Sequence, residues 1–409
     1  MSHVESASIG LWFKTGSRYE TGELHGAAHF IEHLLFKGTN QRNAREITEE
    51  IESRGGDLNA FTSEEMTCYY ARISMDQVQL VIDVLFDMLW KSTFPSKEVE
   101  RERGVILDEI LMYDDQPHMV ALENCNQVLW PENSLGRPIL GSRTSVQSHR
   151  RKELLDFWRR HYRPSSLVVS VAGNVELEQL NRLLKPYVTP PRNAGAGRTW
   201  TAVRIPRTRQ PQCISADRPV QQSHFSLGIR GYPRKDPRRY IEKVLSVLMG
   251  ENMSSRLFQS VREQHGLAYS IHSSTAHHFD TGAFYVHVGT DPDQFENCLK
   301  LVATELRRIR RKKPSARELR RAKDYIVGQM RLGMESTSSR MMWMGECMIG
   351  LDQIVQPQQV IEAIEAVTLD QITEIANDLF QPGKMVLSVC GPGMTPERVR
   401  MATEELKTI

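Results

Sequence analysis

Residues 162–173 read YRPSSLVVSVAG, and residues 380–391 read FQPGKMVLSVCG. Each opens on an aromatic residue with a proline two positions on, runs into an apolar segment of strand length and stops at a glycine. The two lie 218 residues apart (162 to 380), and Ser8-Ile9-Gly10 returns at the same distance as Ser226-Leu227-Gly228. Between these anchors, ITEEIESRGGDLNAF from Ile47 resembles LFQSVREQHGLAYSI from Leu257. Likewise DQVQLVIDVLFDML from Asp76 resembles DQFENCLKLVATEL from Asp293. A chain of 409 residues that repeats itself over such a period is two versions of one module.

Each module reads strand, helix, helix, strands, helix, helices, strand. Ala71 to Ser74 and Ala283 to Val288 alternate as strands do, whereas Val78, Leu80, Val81, Val84, Leu85 and Leu89 recur at helical spacing. His278-Phe279-Asp280-Thr281-Gly282 reads as the turn of a hairpin. The expected fold class is α+β: two homologous modules, each an antiparallel sheet covered by helices. Pro186, Pro190, Pro191, Gly195, Gly197, Pro206 and Pro211 interrupt the pattern and mark a linker. The expected domains are therefore 1–185, with the linker at 186–212, and 213–409.

Lys plus Arg number 52 against 50 Asp plus Glu, a balance that excludes an acidic tail protein or a histone-like nucleic-acid binder. The 40% hydrophobic content is ample for a packed core, and the longest apolar runs, such as Leu167 to Ala172, are far too short to span a membrane. Cys68, Cys125, Cys213, Cys298, Cys347 and Cys390 form no CxxC pair and read as reduced core thiols. The opening MSHVESASIGLWF lacks a basic-then-apolar leader, so the expected location is cytoplasmic.

The chemistry is concentrated in HGAAHFIEHLLFK, residues 25–37. His29 and His33 are four apart and share one helix face, so their imidazoles can converge on one ion, while Glu32 projects beside them. Two His at this spacing suit zinc, and a carboxylate near an open coordination position suits a general base. The HxxEH order is an inverted form of HExxH and belongs among the metallopeptidase signatures. Burying two imidazoles and a carboxylate on an otherwise apolar helix is costly without a function. A carboxylate is the usual third ligand. The helix opened by Ser96, SKEVERERGVILDEILMYDD, offers Glu102 and Glu109 on one face, and spacing alone does not choose between them.

HFIEH followed by FKGT (36–39), GGDLNAFTSEEMTCYYA (55–71) and VERERGVILDEI (99–110) resembles the pitrilysin family of inverzincins, most of all the β-subunit group of mitochondrial processing peptidases and its bacterial relatives. The resemblance spans essentially the whole chain. It implies one Zn2+ per chain held by His29, His33 and Glu109, with Glu32 as the catalytic base and Glu102 as the accompanying acidic residue. The second half has only IEKVL (241–245) where the zinc motif would recur. It carries instead Arg262 and Tyr269, seven apart across Gly266. A Tyr hydroxyl with an Arg beside it suits stabilisation of an oxyanion, and the family has an Arg and a Tyr at this spacing. Leu58-Asn59-Ala60-Phe61 alternates like an edge strand able to accept an extended peptide. Asn59 and Ala60 match the family's substrate-binding edge.

The resemblance further implies a zinc endopeptidase acting on unfolded peptides or presequence-like segments, enclosed between two bowl-shaped halves. Two modules make one bowl, so a homodimer is expected, or a heterodimer with a related subunit, with Arg262 and Tyr269 facing the zinc of the partner. A noncatalytic or scaffold subunit of a processing-peptidase-like complex is the alternative. The family carries a further strand or two before the segment matching Ala7 to Phe13, so the first sheet is expected to lack an edge strand. Neither nucleic acid nor membrane is expected as a partner: RRIRRKK (307–313) reads as a solvated helix end, Met341, Met342, Met344 and Met348 as core, and His277-His278 as surface histidines.

Overall fold

The computed structural model describes residues 1, 3–188, 200–205 and 208–409. Much of the expected linker, including Pro190, Pro191, Gly195, Gly197 and Pro206, lies outside them. The described chain forms two compact units, each with its own sheet and core.

In the first unit β1 (Ser6–Phe13), β2 (Asp57–Thr62), β3 (Thr67–Ser74) and β4 (Leu167–Gly173) pair in the order β2-β3-β1-β4, all antiparallel. Ala7, Ile9, Leu11 and Phe13 point to one face and join a core with the helices Ala27–Leu35, Val78–Lys91 and Arg151–His161. Ser8, Gly10 and Trp12 point to the other face, where the helix Thr337–Leu351 lies: Ser8 Oγ donates to Thr337 Oγ1 (2.9 Å), and a side chain at Gly10 would strike Met341.

The second unit repeats the arrangement. Its strands β5 (Gln212–Asp217), β6 (Ser223–Gly231), β7 (Ala268–His277), β8 (Gly282–Thr290) and β9 (Met385–Gly391) are ordered β5-β9-β6-β8-β7. Phe225, Leu227 and Ile229 enter the core with the helices Arg239–Met249, Phe295–Arg311 and Leu369–Leu379. The opposite face of β6 is crossed by the helix Pro117–Leu129, with Gly228 leaving room for Cys125 and Leu129. The repeated Ser-X-Gly of the sequence is thus the place where a helix passes close over the central strand.

The structure adds detail that the repeat leaves out. The second sheet is not wholly antiparallel, because β5 runs parallel to β9. The first sheet has no strand in the corresponding place beside β4 among the described residues, and β4 is only half-buried where β9 is buried throughout. The units also do not divide at 185 and 213. Residues 112–136, from the first half of the sequence, belong to the second unit, and residues 331–355, from the second half, belong to the first. A boundary drawn from the repeat misses this exchange because neither helix, Pro117–Leu129 or Thr337–Leu351, carries a strong one-sided apolar stripe, and only packing shows which sheet each one covers. Among the described residues no helix is long and apolar enough to cross a membrane.

Candidate metal centre

The segment HGAAHFIEH folds as a helix for reasons visible at its start. Gly26 is left-handed (φ 90°), and a Cβ there would meet the Leu140 carbonyl oxygen at 2.6 Å, so glycine is required. Glu20, itself buried, accepts from the backbone N–H groups of Gly26 and Ala28 (2.8 Å each) and satisfies two donors of the first turn. Ala27, Ala28, Phe30, Ile31, Leu34 and Leu35 seat the helix in the core. His29 and His33 emerge together on one edge, with ring centroids 4.7 Å apart.

The helix Ser96–Asp114 supplies both glutamates, and the structure gives them different neighbours. Glu109 Oε2 lies 3.7 Å from His29 Nε2 and 3.7 Å from His33 Nε2. Glu102, only 2% exposed, takes the other side of His33: the ring Nδ1–H donates to Glu102 Oε2 (3.1 Å), while Lys37 Nζ meets Glu102 Oε1 (2.9 Å). That hydrogen bond fixes the tautomer and leaves the Nε2 lone pair of His33 turned toward His29 and Glu109. Among the described residues, His29, His33 and Glu109 are the one group of three or more His, Cys, Asp or Glu whose ligand atoms all lie within 4.8 Å of one another. A tetrahedral zinc with bonds of about 2.1 Å sets its ligand atoms roughly 3.4 Å apart, so the trio fits that ion with small side-chain adjustments.

The electrostatics agree with that donor set. Burial first, and His33 second, push the imidazole of His29 down to about 3, so it is neutral and ligand-ready at any working pH. Burial raises the Glu109 carboxyl, and His33 opposes it. Burial also raises Glu32, against the Thr62 hydroxyl and His33. Glu32 Oε2 is buried and Thr62 Oγ1 lies beside the carboxyl, neither with a well-aligned hydrogen bond. A carboxylate so placed is free to take a proton.

The other expected residues lie as follows. β2 is an edge strand of the first sheet, with Leu58, Asn59, Ala60 and Phe61 pairing only with β3. The Asn59 side chain accepts from the Ala60 N–H (2.8 Å), which shields one donor of the free edge. Arg262 and Tyr269 are brought together in the second unit. Arg262 lies in a π-helical segment (Phe258–Gln264), its guanidinium 4.9 Å from the Phe258 ring centre and 5.9 Å from that of Tyr269. Tyr269 occupies the bulge at the start of β7 and is 74% exposed. The helix Arg239–Met249, where the zinc motif would recur, offers no ligand set.

One minor reading is corrected: His278 is buried against Trp130 (5.1 Å), and His277 Nδ1 is 3.0 Å from the Tyr232 carbonyl oxygen, so neither is simply a surface histidine. Glu20, Thr62 and Lys37 also border the site and are not part of the HxxEH pattern. Lys37 carries a signal, being four residues after His33 and so on its face of the helix; Glu20 and Thr62 reach the site only through tertiary packing.

A repeated sheet module, with an inverted HxxEH site on its first copy alone, defines the class as a two-module protein of the inverzincin type. Comparison with known proteins agrees. Residues 2–143 match the family model described as insulinase (peptidase family M16), and residues 149–326 the one described as peptidase M16 inactive domain. An uncharacterized zinc protease of Streptomyces coelicolor is 37% identical over 95% of this chain and 85% of its own length. One of Bacillus subtilis is 33% identical over 96% and 95%. The crystal structure of a protease from Helicobacter pylori shares the fold at TM-score 0.90, with 19% identity over 95% of this chain and 94% of its own. The chain belongs to peptidase family M16.

Proposed function

We propose that the chain is a zinc endopeptidase that cleaves unfolded or presequence-like peptides in the cytoplasm, with one zinc per chain held by His29, His33 and Glu109. The observation that carries this reading is the convergence of those three ligand atoms, with Glu102 locking His33 from behind. Zinc bound there supplies Lewis-acid polarisation of a peptide carbonyl and of water. Glu32 accepts the proton of the attacking water on its carboxylate and returns it to the departing amine nitrogen. The free edge of β2, from Leu58 to Phe61, pairs with the backbone of an extended substrate, which accounts for a preference for unfolded chains.

Arg262 and Tyr269 stabilise the oxyanion and the substrate. In this reading, which follows the resemblance to the family, the pair acts from a second copy of the chain in a homodimer. The competing reading, a noncatalytic subunit of a heterodimer, draws on the match of residues 149–326 to a domain described as inactive. Incubating the purified chain with a mixture of unstructured peptides, with and without a chelator, separates the two. Cleavage abolished by chelator and restored by zinc supports the peptidase; stoichiometric zinc without cleavage supports the noncatalytic subunit.

A further inference from the structure

We propose that Lys37 is a positioning residue of the metal centre, acting through Glu102 on His33, an inference that rests on the zinc-binding reading above. Lys37 follows the motif helix one turn after His33. Its backbone N–H still bonds to the Leu34 carbonyl (3.0 Å). The chain then turns away at Gly38 (φ 122°), and the turn is anchored by Thr39, whose hydroxyl donates to Asp87 Oδ2 (2.6 Å). Lys37 is therefore held at the end of the same helix face that carries His33, and its ammonium reaches down to the second helix.

There it meets a carboxylate with no room to spare. Glu102 is 2% exposed, and its two oxygens are divided between two partners: Oε2 accepts from His33 Nδ1–H at 3.1 Å, and Oε1 takes the Lys37 ammonium at 2.9 Å. With both oxygens engaged, the carboxylate plane is fixed, and with it the ring of His33. Without Lys37, a buried carboxylate would keep a single partner and turn to seek water or another donor. The imidazole of His33 would then lose its orientation, and its Nε2 would leave the point shared with His29 and Glu109. The series Lys37, Glu102, His33 extends the usual carboxylate–histidine support of a metal ligand by one further charged group.

The test uses the full-length chain and measures zinc affinity by competition with a chromophoric chelator for wild type, Lys37→Met, Lys37→Gln and Lys37→Arg. Supporting groups of this kind contribute about 10-fold to 100-fold to metal affinity. Lys37→Met is accordingly expected to weaken zinc about 10-fold, Lys37→Gln less, and Lys37→Arg to restore affinity to within about threefold of wild type. A second readout needs no metal: 15N-labelled imidazole signals of zinc-free protein should show His33 protonated at Nδ1 in wild type and Lys37→Arg, and a mixture of tautomers in Lys37→Met. Affinity and tautomer unchanged in Lys37→Met overturn the proposal, as does a Lys37→Arg variant that folds but binds no better than Lys37→Met. If Lys37→Met fails to fold, the graded order of Gln and Arg decides the matter. Wild-type protein that binds no stoichiometric zinc would instead overturn the reading of the site itself.

Discussion

Replacing Glu32 by Gln separates metal binding from proton transfer more cleanly than any other single change. The side chain stands one residue before His33, keeps its volume on substitution, and is no member of the trio His29, His33 and Glu109. Burial raises its carboxyl, which means that the folded chain already bears a desolvation penalty for the charged form. The neutral amide removes that penalty, so Glu32→Gln should be at least as stable as wild type toward heat and should bind zinc within about threefold. The lost function is proton transfer, worth about 10²-fold to 10⁴-fold, or about 3 to 5 kcal/mol of barrier at 1.36 kcal/mol per decade. The assay is chromatography of an unstructured-peptide mixture, with bound zinc counted by elemental analysis on the same samples. Turnover within tenfold of wild type would refute the base assignment. Loss of zinc together with turnover would refute the division of labour between Glu32 and its neighbouring ligands.

Other outcomes follow from the same geometry. Glu109→Gln should lower zinc stoichiometry as well as activity, whereas Tyr269→Phe should retain zinc and lose at least about tenfold in turnover; mixing Glu32→Gln with Tyr269→Phe chains should restore activity if the oxyanion pair acts in trans. Burial pushes the carboxyl of Glu242, in the second unit, up to about 8 from an ordinary 4.5. Between those values the folded chain holds a proton that the unfolded chain has released. Stability should therefore fall as pH rises through this window, by up to about 1.4 kcal/mol per pH unit, and Glu242→Gln should flatten the slope in urea titrations. Gly345→Ala places a methyl inside the Trp12 indole, so despite a helix-propensity gain of about 1 kcal/mol it should lower the melting temperature.

What the sequence discloses and what it conceals follow one physical division. Periodicity and spacing report on a single element at a time. The HxxEH helix, the hairpin turned at 278–281, the helix from Ser96 and the edge position of β2 are all features of one element or of neighbouring ones, and all are found where the sequence expects them. The choice of Glu109 over Glu102 as the expected third ligand rests on the family resemblance alone, because both occupy one helix face and nothing in their spacing says which turns toward His29. In the structure the two differ in their neighbours: buried Glu102 meets His33 Nδ1 and Lys37, while the partly exposed Glu109 lies 3.7 Å from the Nε2 atoms of both histidines.

The exchanged helices show the same division on a larger scale. Ser8-Ile9-Gly10 and Ser226-Leu227-Gly228 match because each central strand needs an apolar residue for the core on one face and a glycine on the other for a helix lying close; the hydroxyls differ, Ser8 bonding to Thr337 of that helix and Ser226 meeting His287 Nδ1 of β8 (3.0 Å). Trp12 fits beneath Gly345 on the first sheet, and Gly228 fits beneath Cys125 and Leu129 on the second. Neither helix can be assigned to its sheet from its own sequence, since the complementarity is written partly in the helix and partly in the strand. The repeat therefore marks where two helices must dock, and it reveals nothing about which ones do. The candidate site escapes this difficulty, because the helices Ala27–Leu35 and Ser96–Asp114 meet in the core of one unit, and His33, Lys37 and Glu102 come together as a by-product of that packing.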